Sequence, residues 1–219
     1  MACAALVVAA WAISGVAARA DEATVAAGAA IAAHGTVAGR AACSSCHGQD
    51  GAGQPDVGIP RLAGLSAYYI HEQLGYFASG ARHNYVMSSY AAALTPAERR
   101  EVADYYASLP VPGNPDPLPV AAAALDRGRT LFLNGAPDKG LLSCSQCHGT
   151  DGLGVGSFSP RLAGQSAAYI MDQLQRWHGG ADRDPKGQYM RAIAGRLDTP
   201  DMRAVADYAA SLPKQGGKP

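Results

Sequence analysis

Apolar residues recur at helical spacing in several segments of the chain. In the stretch SAYYIHEQLGYFASG they lie about 3.6 residues apart, at Tyr69, Ile70, Leu74 and Phe77. A helix-compatible spacing is also found in AAAALDRGRTLFLNG, at Leu125, Leu131 and Phe132. No stretch alternates between apolar and polar residues as a half-buried strand would. The pattern therefore predicts an all-α protein.

Residues at the segment ends agree with helices. The stretch TPAERREVADYYASLP begins with Thr95 and Pro96, which are typical of an N-cap and a first helical position. One face of this segment carries Val102, Tyr105, Tyr106 and Leu109. Gly135 follows the last apolar residue of AAAALDRGRTLFLNG, where a helix commonly ends.

Two long segments of the sequence occur twice. PRLAGLSAYYIHEQL, which begins at Pro60, aligns with PRLAGQSAAYIMDQL, which begins at Pro160. EVADYYASLP from Glu101 aligns with AVADYAASLP from Ala204. Such self-similarity indicates two copies of one structural unit. Each copy is expected to be a small bundle of about three main helices.

A proline-rich segment separates the two copies. Residues 111–120 belong to the stretch PVPGNPDPLPV, which favours an extended and semi-rigid linker. This segment places an N-terminal domain at residues 21–110 and a C-terminal domain at residues 121–219.

The first 20 residues have the pattern of an export signal. The chain is apolar from Ala2 to Ala18, and Ala18-Arg19-Ala20 fits the small-x-small pattern of a cleavage site. An uncleaved membrane anchor is the alternative, although the segment is shorter than the roughly 20 apolar residues that spanning requires. We therefore predict a signal peptide at residues 1–20, a periplasmic location, and no transmembrane helix in the mature chain.

Composition narrows the possible functions. The formal net charge is zero and no basic patch is concentrated in the sequence, which argues against a nucleic-acid partner. Only 7% of the residues are aromatic, and alanine and glycine supply much of the apolar content. Small domains of this composition have thin cores and usually need a cofactor or a covalent staple.

Two Cys-x-x-Cys-His clusters, CSSCH and CSQCH, carry the candidate chemistry. They contain every cysteine beyond residue 3, namely Cys43, Cys46, Cys144 and Cys147. A thioredoxin-type site would need a βαβ context, and a zinc site would need about four ligands at suitable spacing. Cys-x-x-Cys-His is instead the attachment pattern of c-type haem, with His47 and His148 as iron ligands. The sequence therefore predicts two covalently bound haem c groups.

The second axial ligand should recur in both copies. Met87 and Met190 align with each other, downstream of the two clusters, and are the predicted partners of His47 and His148. Met paired with His raises the reduction potential of haem iron. Met171 aligns with a histidine and Met202 with an arginine, so neither recurs.

The other histidines do not support a second arrangement. His34, His71, His83 and His178 have no histidine counterpart in the other copy, which disfavours two histidine ligands at each iron. His83 lies close enough to Met87 in sequence to remain a candidate substitute ligand.

These residues resemble those of class I cytochromes c, and the tandem arrangement resembles the diheme cytochrome c4 family. The resemblance covers both clusters, both PRLAG stretches, both methionine regions and the closing helices. It implies that the carbonyl groups of Pro60 and Pro160 accept hydrogen bonds from the histidine ligands. It also implies that Arg61 and Arg161 steady the haem propionates.

The predicted function is electron transfer rather than catalysis. A diheme carrier would pass single electrons from a quinol-oxidising complex or dehydrogenase to a terminal oxidase or reductase, docking peripherally at membrane complexes. One alternative is a cytochrome subunit of a dehydrogenase complex. A second is a diheme redox enzyme of the peroxidase or thiosulfate-oxidising type, which would require an open or unusual sixth position at one iron.

Overall fold

The computed structural model describes residues 21–36, 39, 41–112, 120–181 and 187–213. The predicted signal peptide and most of the predicted linker lie outside these residues. Within them the secondary structure is helical, with no strand beyond isolated bridges, so the predicted all-α fold is confirmed. No helix in this part of the chain is both long and apolar enough to cross a membrane.

The N-terminal lobe contains five α-helices in the described ranges: α1 (Glu22–His34), α2 (Ser44–His47), α3 (Ala67–Ser79), α4 (Tyr85–Ala92) and α5 (Pro96–Ser108). The C-terminal lobe repeats this order with α6 (Ala122–Asn134), α7 (Ser145–His148), α8 (Ala167–His178), α9 (Gly187–Ala194) and α10 (Thr199–Ser211). Each lobe therefore has three long helices, as predicted. It also has one short and one intermediate helix that the apolar spacing did not indicate.

Local sequence accounts for where the long helices begin and end. The Thr95 side chain accepts from the Glu98 N–H, and the Glu98 carboxylate accepts from the Thr95 N–H, so the two residues form a capping box. Ser66 and Ser166 cap α3 and α8 by a single side-chain bond, each accepting from a tyrosine N–H at 3.1 Å. Helix α6 ends before Gly135, as predicted.

Each lobe is closed by its first and last long helices, which cross at a glycine. A Cβ atom on Gly28 of α1 would lie 2.0 Å from the Glu101 carbonyl oxygen on α5. A Cβ atom on Gly128 of α6 would lie 2.0 Å from the Ala204 carbonyl oxygen on α10. Glycine at these positions therefore permits the close helix contact that holds each bundle together.

Each lobe has its own apolar core, and the cores use different residues at equivalent positions. Tyr106 is fully buried in the N-terminal lobe, whereas its counterpart in the C-terminal lobe is the smaller Ala209, which is buried in the same core as Leu212. Leu212 approaches Gly152 where Tyr106 approaches Gly51 in the other lobe. The repeat thus preserves the helices while the packing inside them differs.

The two lobes pack against each other through polar side chains. The Arg61 guanidinium donates to the carbonyl groups of Gly164 and Ala163, each at 3.2 Å, and to that of Ala63 in its own lobe. The Ser66 hydroxyl donates to the Ser157 carbonyl at 2.6 Å. These contacts fix the orientation of one lobe against the other.

Candidate haem-binding site

The cysteine clusters form the short helices α2 and α7. Cys43 and Cys144 stand at the N-caps and are half-buried, whereas Cys46 and Cys147 are exposed, and none of the four forms a disulfide. Burial raises the pKa of the Cys43 thiol and raises that of Cys144 to about 11. Each cluster therefore presents two cysteine sulfurs about one helical turn apart, a spacing that suits attachment to the two vinyl groups of a haem.

His47 and His148 are held identically in the two lobes. Nδ1 of His47 lies 2.9 Å from the Pro60 carbonyl oxygen, and Nδ1 of His148 lies 2.9 Å from that of Pro160. A carbonyl oxygen can only accept, so each Nδ1 carries the proton and each Nε2 keeps its lone pair. Burial lowers the pKa of both histidines, and the hydrogen bond to the carbonyl group opposes this shift only in part. The lowered pKa favours the neutral rings, which are the form that binds iron.

A glycine in each loop brings these carbonyl groups within reach. A Cβ atom on Gly53 would lie 2.6 Å from the Pro60 carbonyl oxygen, and one on Gly154 would lie 2.4 Å from the Ser159 oxygen. Both glycines have positive φ, and their N–H groups donate to the carbonyl groups of His47 and His148 at 2.8 Å. The loop after each cluster therefore folds back onto the helix turn that carries the histidine.

Met87 and Met190 lie on α4 and α9. The side chain of Asn84 caps α4 and accepts from the N–H groups of Val86 and Met87 at 3.0 and 2.9 Å. Both methionine side chains pack against the core of their own lobe and line the same cavity as the histidines. The structure thus brings the predicted ligand pairs to one space, although iron ligation itself remains a prediction.

That cavity is continuous between the lobes and has a volume of about 1170 Å³. Single small-molecule sites usually occupy about 300–1,000 Å³. Its walls include all six cysteine and histidine residues of the two clusters, namely Cys43, Cys46, His47, Cys144, Cys147 and His148. The cavity therefore has the size and the attachment chemistry for large prosthetic groups in both lobes.

Two buried oxygen atoms on the cavity wall of the N-terminal lobe also fit a ligand. The hydroxyl groups of Thr36 and Tyr106 are inaccessible and have no hydrogen-bond partner among the described residues. Buried polar groups are normally paired, because leaving one unpaired costs about 1–3 kcal/mol. A group with carboxylates, such as a haem with its propionates, offers acceptors of the kind they need.

The two predicted propionate partners occupy different surroundings. Arg161 is half-buried and lines the cavity, which is consistent with the predicted contact. Arg61 is only 3% exposed, and its guanidinium points to backbone carbonyl groups at the contact between lobes. Burial and the nearby Arg161 charge lower the pKa of Arg61 to about 10. A propionate role for either residue stays a prediction.

Gln165 and Arg82 were not anticipated from the sequence. Gln165 replaces the Leu65 of the first copy, so the alignment contained a signal that was not used. Arg82 lines the cavity with its guanidinium 4.4 Å from the Phe77 ring centroid, and it bonds to Gln173 of the other lobe at 3.0 Å. Its role depends on lobe packing, which no local pattern reveals.

Among the remaining histidines, His83 is exposed at the cavity wall near Met87. His178 donates from Nδ1 to the Ala194 carbonyl oxygen at 3.0 Å, at the end of the helix that carries Met190.

Comparison with known proteins agrees with this site. The Cytochrome c family matches residues 25–110 and 125–213, which is one match in each lobe. A protein of Thiomonas intermedia named thiosulfate dehydrogenase electron acceptor is 45% identical over 174 residues, covering 79% of each chain.

Solved structures show the same fold. The cytochrome c4 of Acidithiobacillus ferrooxidans superposes with a TM-score of 0.69 at 33% identity, covering 78% of this chain and 98% of that one. A thiosulfate dehydrogenase of Marichromatium purpuratum superposes with a TM-score of 0.79 at 40% identity, covering 86% of this chain. This chain spans only 40% of the length of that structure. The chain therefore belongs to the cytochrome c family, as a diheme electron-transfer protein of the cytochrome c4 type with two covalently attached haem c groups.

Proposed function

We propose that this protein is a periplasmic carrier that accepts single electrons from a thiosulfate-oxidising dehydrogenase. The observation that carries the proposal is the presence of a histidine and a methionine in each lobe on the wall of one shared cavity. Haem iron held by both ligands cycles between two oxidation states without binding substrate. In this assignment Cys43, Cys46, Cys144 and Cys147 attach the haem groups, and the ligand pairs are His47 with Met87 and His148 with Met190.

The protein's own groups hold these ligands in place. The Pro60 and Pro160 carbonyl groups fix the histidine rings by accepting from Nδ1, which leaves Nε2 for the iron. A methionine lies on the same cavity wall as the histidine in each lobe, and its ligation would leave neither iron an open position for a substrate. This similarity supports a carrier over a diheme enzyme of the peroxidase or thiosulfate-oxidising type.

The proposed electron donor rests on similarity to named relatives. The Thiomonas intermedia relative is named for accepting electrons from thiosulfate dehydrogenase, and the match extends through both lobes. The cytochrome c4 relatives support a free carrier that can also serve other partners, such as a terminal oxidase or reductase.

A permanent dehydrogenase subunit is the second candidate. It is favoured by the Marichromatium purpuratum structure, a thiosulfate dehydrogenase in which this chain matches only part of a longer chain. Co-purification at a fixed ratio with a dehydrogenase would favour the subunit, whereas isolation as a separate protein that is reduced on mixing would favour the carrier.

Spectra of the holoprotein in both oxidation states test the ligand assignment. We expect two low-spin haems, a sulfur-to-iron charge-transfer band in the oxidised form, and no reaction with carbon monoxide. Met87→Ala and Met190→Ala should each open only the haem of their own lobe, and Met171→Ala serves as the control. Ready carbon monoxide binding by the unaltered protein would contradict the carrier assignment, and an unchanged spectrum in either variant would contradict that ligand.

Turnover experiments test the donor separately. The oxidised holoprotein should be reduced by thiosulfate only when a thiosulfate dehydrogenase is present. Oxidation of thiosulfate by this protein alone would instead assign it the enzymatic role.

A further inference from the structure

One peptide group links the histidine of the N-terminal lobe to the C-terminal lobe. The Pro60 carbonyl oxygen accepts from His47 Nδ1 at 2.9 Å. The N–H of Arg61, which belongs to the same peptide group, donates to Oε1 of Gln165 at 3.0 Å. The imidazole and the amide of the other lobe are therefore joined by two consecutive hydrogen bonds through one planar, polarisable unit.

The Gln165 side chain is fixed by contacts at both ends. Its Nε2 donates to the Arg61 carbonyl oxygen at 3.0 Å, and its Oε1 also accepts from the Ser166 N–H at 3.0 Å. The residue is 4% exposed, so water has little access to these bonds. The amide is thus held as an acceptor for the Arg61 N–H.

The residue that corresponds to Gln165 in the first copy cannot accept a hydrogen bond through its side chain. His148 makes the same 2.9 Å contact with the Pro160 carbonyl oxygen. The residue equivalent to Gln165 is Leu65, whose hydrocarbon side chain has no hydrogen-bonding group. Leu65 therefore cannot act on His148 as Gln165 acts on His47.

Consecutive hydrogen bonds through a peptide group strengthen one another. Donation from the Arg61 N–H draws electron density toward the Pro60 oxygen, which makes that oxygen a better acceptor for His47 Nδ1–H. A stronger bond at Nδ1 makes the imidazole a more basic ligand, and a more basic ligand favours the oxidised iron.

We propose that Gln165 is a positioning and tuning residue that acts across the lobe contact on the His47 side of the N-terminal haem, through the Pro60–Arg61 peptide group. Docking of the lobes thereby lowers the reduction potential of that haem. The proposal rests on the haem and ligand assignment made above.

The test uses the reduced and oxidised holoprotein with Gln165→Met, which keeps a similar volume but cannot accept the Arg61 N–H. We expect the Nδ1–H proton resonance of His47 to move upfield, as in a weaker hydrogen bond, while that of His148 stays in place. The reduction potential of the N-terminal haem should rise, and that of the C-terminal haem should not change.

Ser66→Ala is the matched control, because it removes a different lobe-to-lobe hydrogen bond, to the Ser157 carbonyl, together with the cap of α3, without touching this peptide group. A rise of equal size in Ser66→Ala would assign the effect to loosened lobes and overturn the proposal. So would unmoved His47 signals in Gln165→Met. Failure of the haem ligation itself is distinguishable, since it would already appear as unchanged spectra in Met87→Ala and Met190→Ala.

Discussion

The ring of His178 donates from Nδ1 to the Ala194 carbonyl oxygen at 3.0 Å, and this bond ties the end of α8 to the end of the helix that carries Met190. In the N-terminal lobe the equivalent carbonyl, that of Ala91, accepts instead from Arg99 of α5 at 3.2 Å. Arg99 also donates to the Leu94 carbonyl at 2.8 Å. The same helix end is therefore secured by different side chains from different helices.

Removing either side chain should loosen the methionine helix of one lobe only. Arg99→Met installs the residue found at the equivalent position 202. It should lower the free energy of unfolding by about 1.5–3 kcal/mol, because it removes a hydrogen bond from a charged group. His178→Ala should cost about 1 kcal/mol. We expect the sulfur-to-iron band of the affected haem to be lost at a lower temperature. Ala78→His, which adds the C-terminal arrangement to Arg99→Met, should restore part of the loss, and Arg100→Met should change nothing.

The glycine crossings predict a sharp contrast between alanine substitutions. Gly128→Ala would place a Cβ atom 2.0 Å from the Ala204 carbonyl oxygen, so α6 and α10 must separate. We expect a loss of about 1–3 kcal/mol in the free energy of unfolding, typical of overpacking. The control is Gly75→Ala in α3, where an added Cβ atom would meet nothing within 4 Å. This substitution should stabilise the helix by about 0.5–1 kcal/mol. Equal effects in denaturant titrations would contradict the packing argument.

Asp201 makes the stability of the C-terminal lobe dependent on pH. Burial would raise its pKa, but hydrogen bonds from Arg127 at 2.9 Å and Lys139 at 2.8 Å outweigh burial and hold the pKa below the ordinary value of 3.8. A carboxyl with a lowered folded-state pKa stabilises fully above its unfolded value, and the stabilisation is lost as the pH falls through the folded value.

Asp201→Asn should therefore lower the melting temperature most at neutral pH. The difference from the unaltered protein should shrink as the pH falls below 3.8, where Asp201 itself becomes protonated. Arg127→Gln removes one of the two donors to Asp201, so it should lower the melting temperature at neutral pH by less than Asp201→Asn does. A melting difference that stays constant with pH would contradict a role for the Asp201 charge.

Arg82 places a buried cation on the cavity wall between the lobes. The residue is 8% exposed, and its guanidinium also donates to Gln73 at 2.6 Å and to the Tyr169 hydroxyl at 3.0 Å. A nearby positive charge disfavours the oxidised haem, which carries one more positive charge than the reduced haem. Arg82→Gln should lower the reduction potential of at least one haem by tens of millivolts, where about 59 mV is a tenfold change in a one-electron equilibrium. The exposed residue Arg100 provides the control Arg100→Gln. Equal reduction potentials in Arg82→Gln and Arg100→Gln would contradict an effect of the Arg82 charge on the haem groups.

Local patterns predicted the parts of this protein that depend on neighbouring residues. Helix spacing, the Thr95 cap and the Cys-x-x-Cys-His clusters are all short-range features, and the repeat doubled each of them. Helices α4 and α9 were not predicted, because each is too short for its apolar residues to establish a period. Their methionines were identified from the alignment of the two copies instead.

Contacts between distant parts of the chain were not predictable. Gln165, Arg82 and His178 owe their roles to which surfaces meet when the lobes and helices pack. In the sequence Gln165 and His178 differ in type from their counterparts Leu65 and Ala78, but no local pattern states what they contact. Differences between the two copies, rather than their similarities, mark where the packing became specific.

The shared cavity has a consequence for how such a protein must mature. Because both lobes contribute to its walls, a lobe released from its neighbour would expose cavity-lining residues and lose the polar contacts made by Arg61 and Arg82. Although the sequence repeats one structural unit, the two folded lobes share one cavity that holds both haem sites. Cleavage of the chain between the lobes should therefore not yield two independent monohaem proteins. Binding of one haem also changes the surroundings of the other haem site.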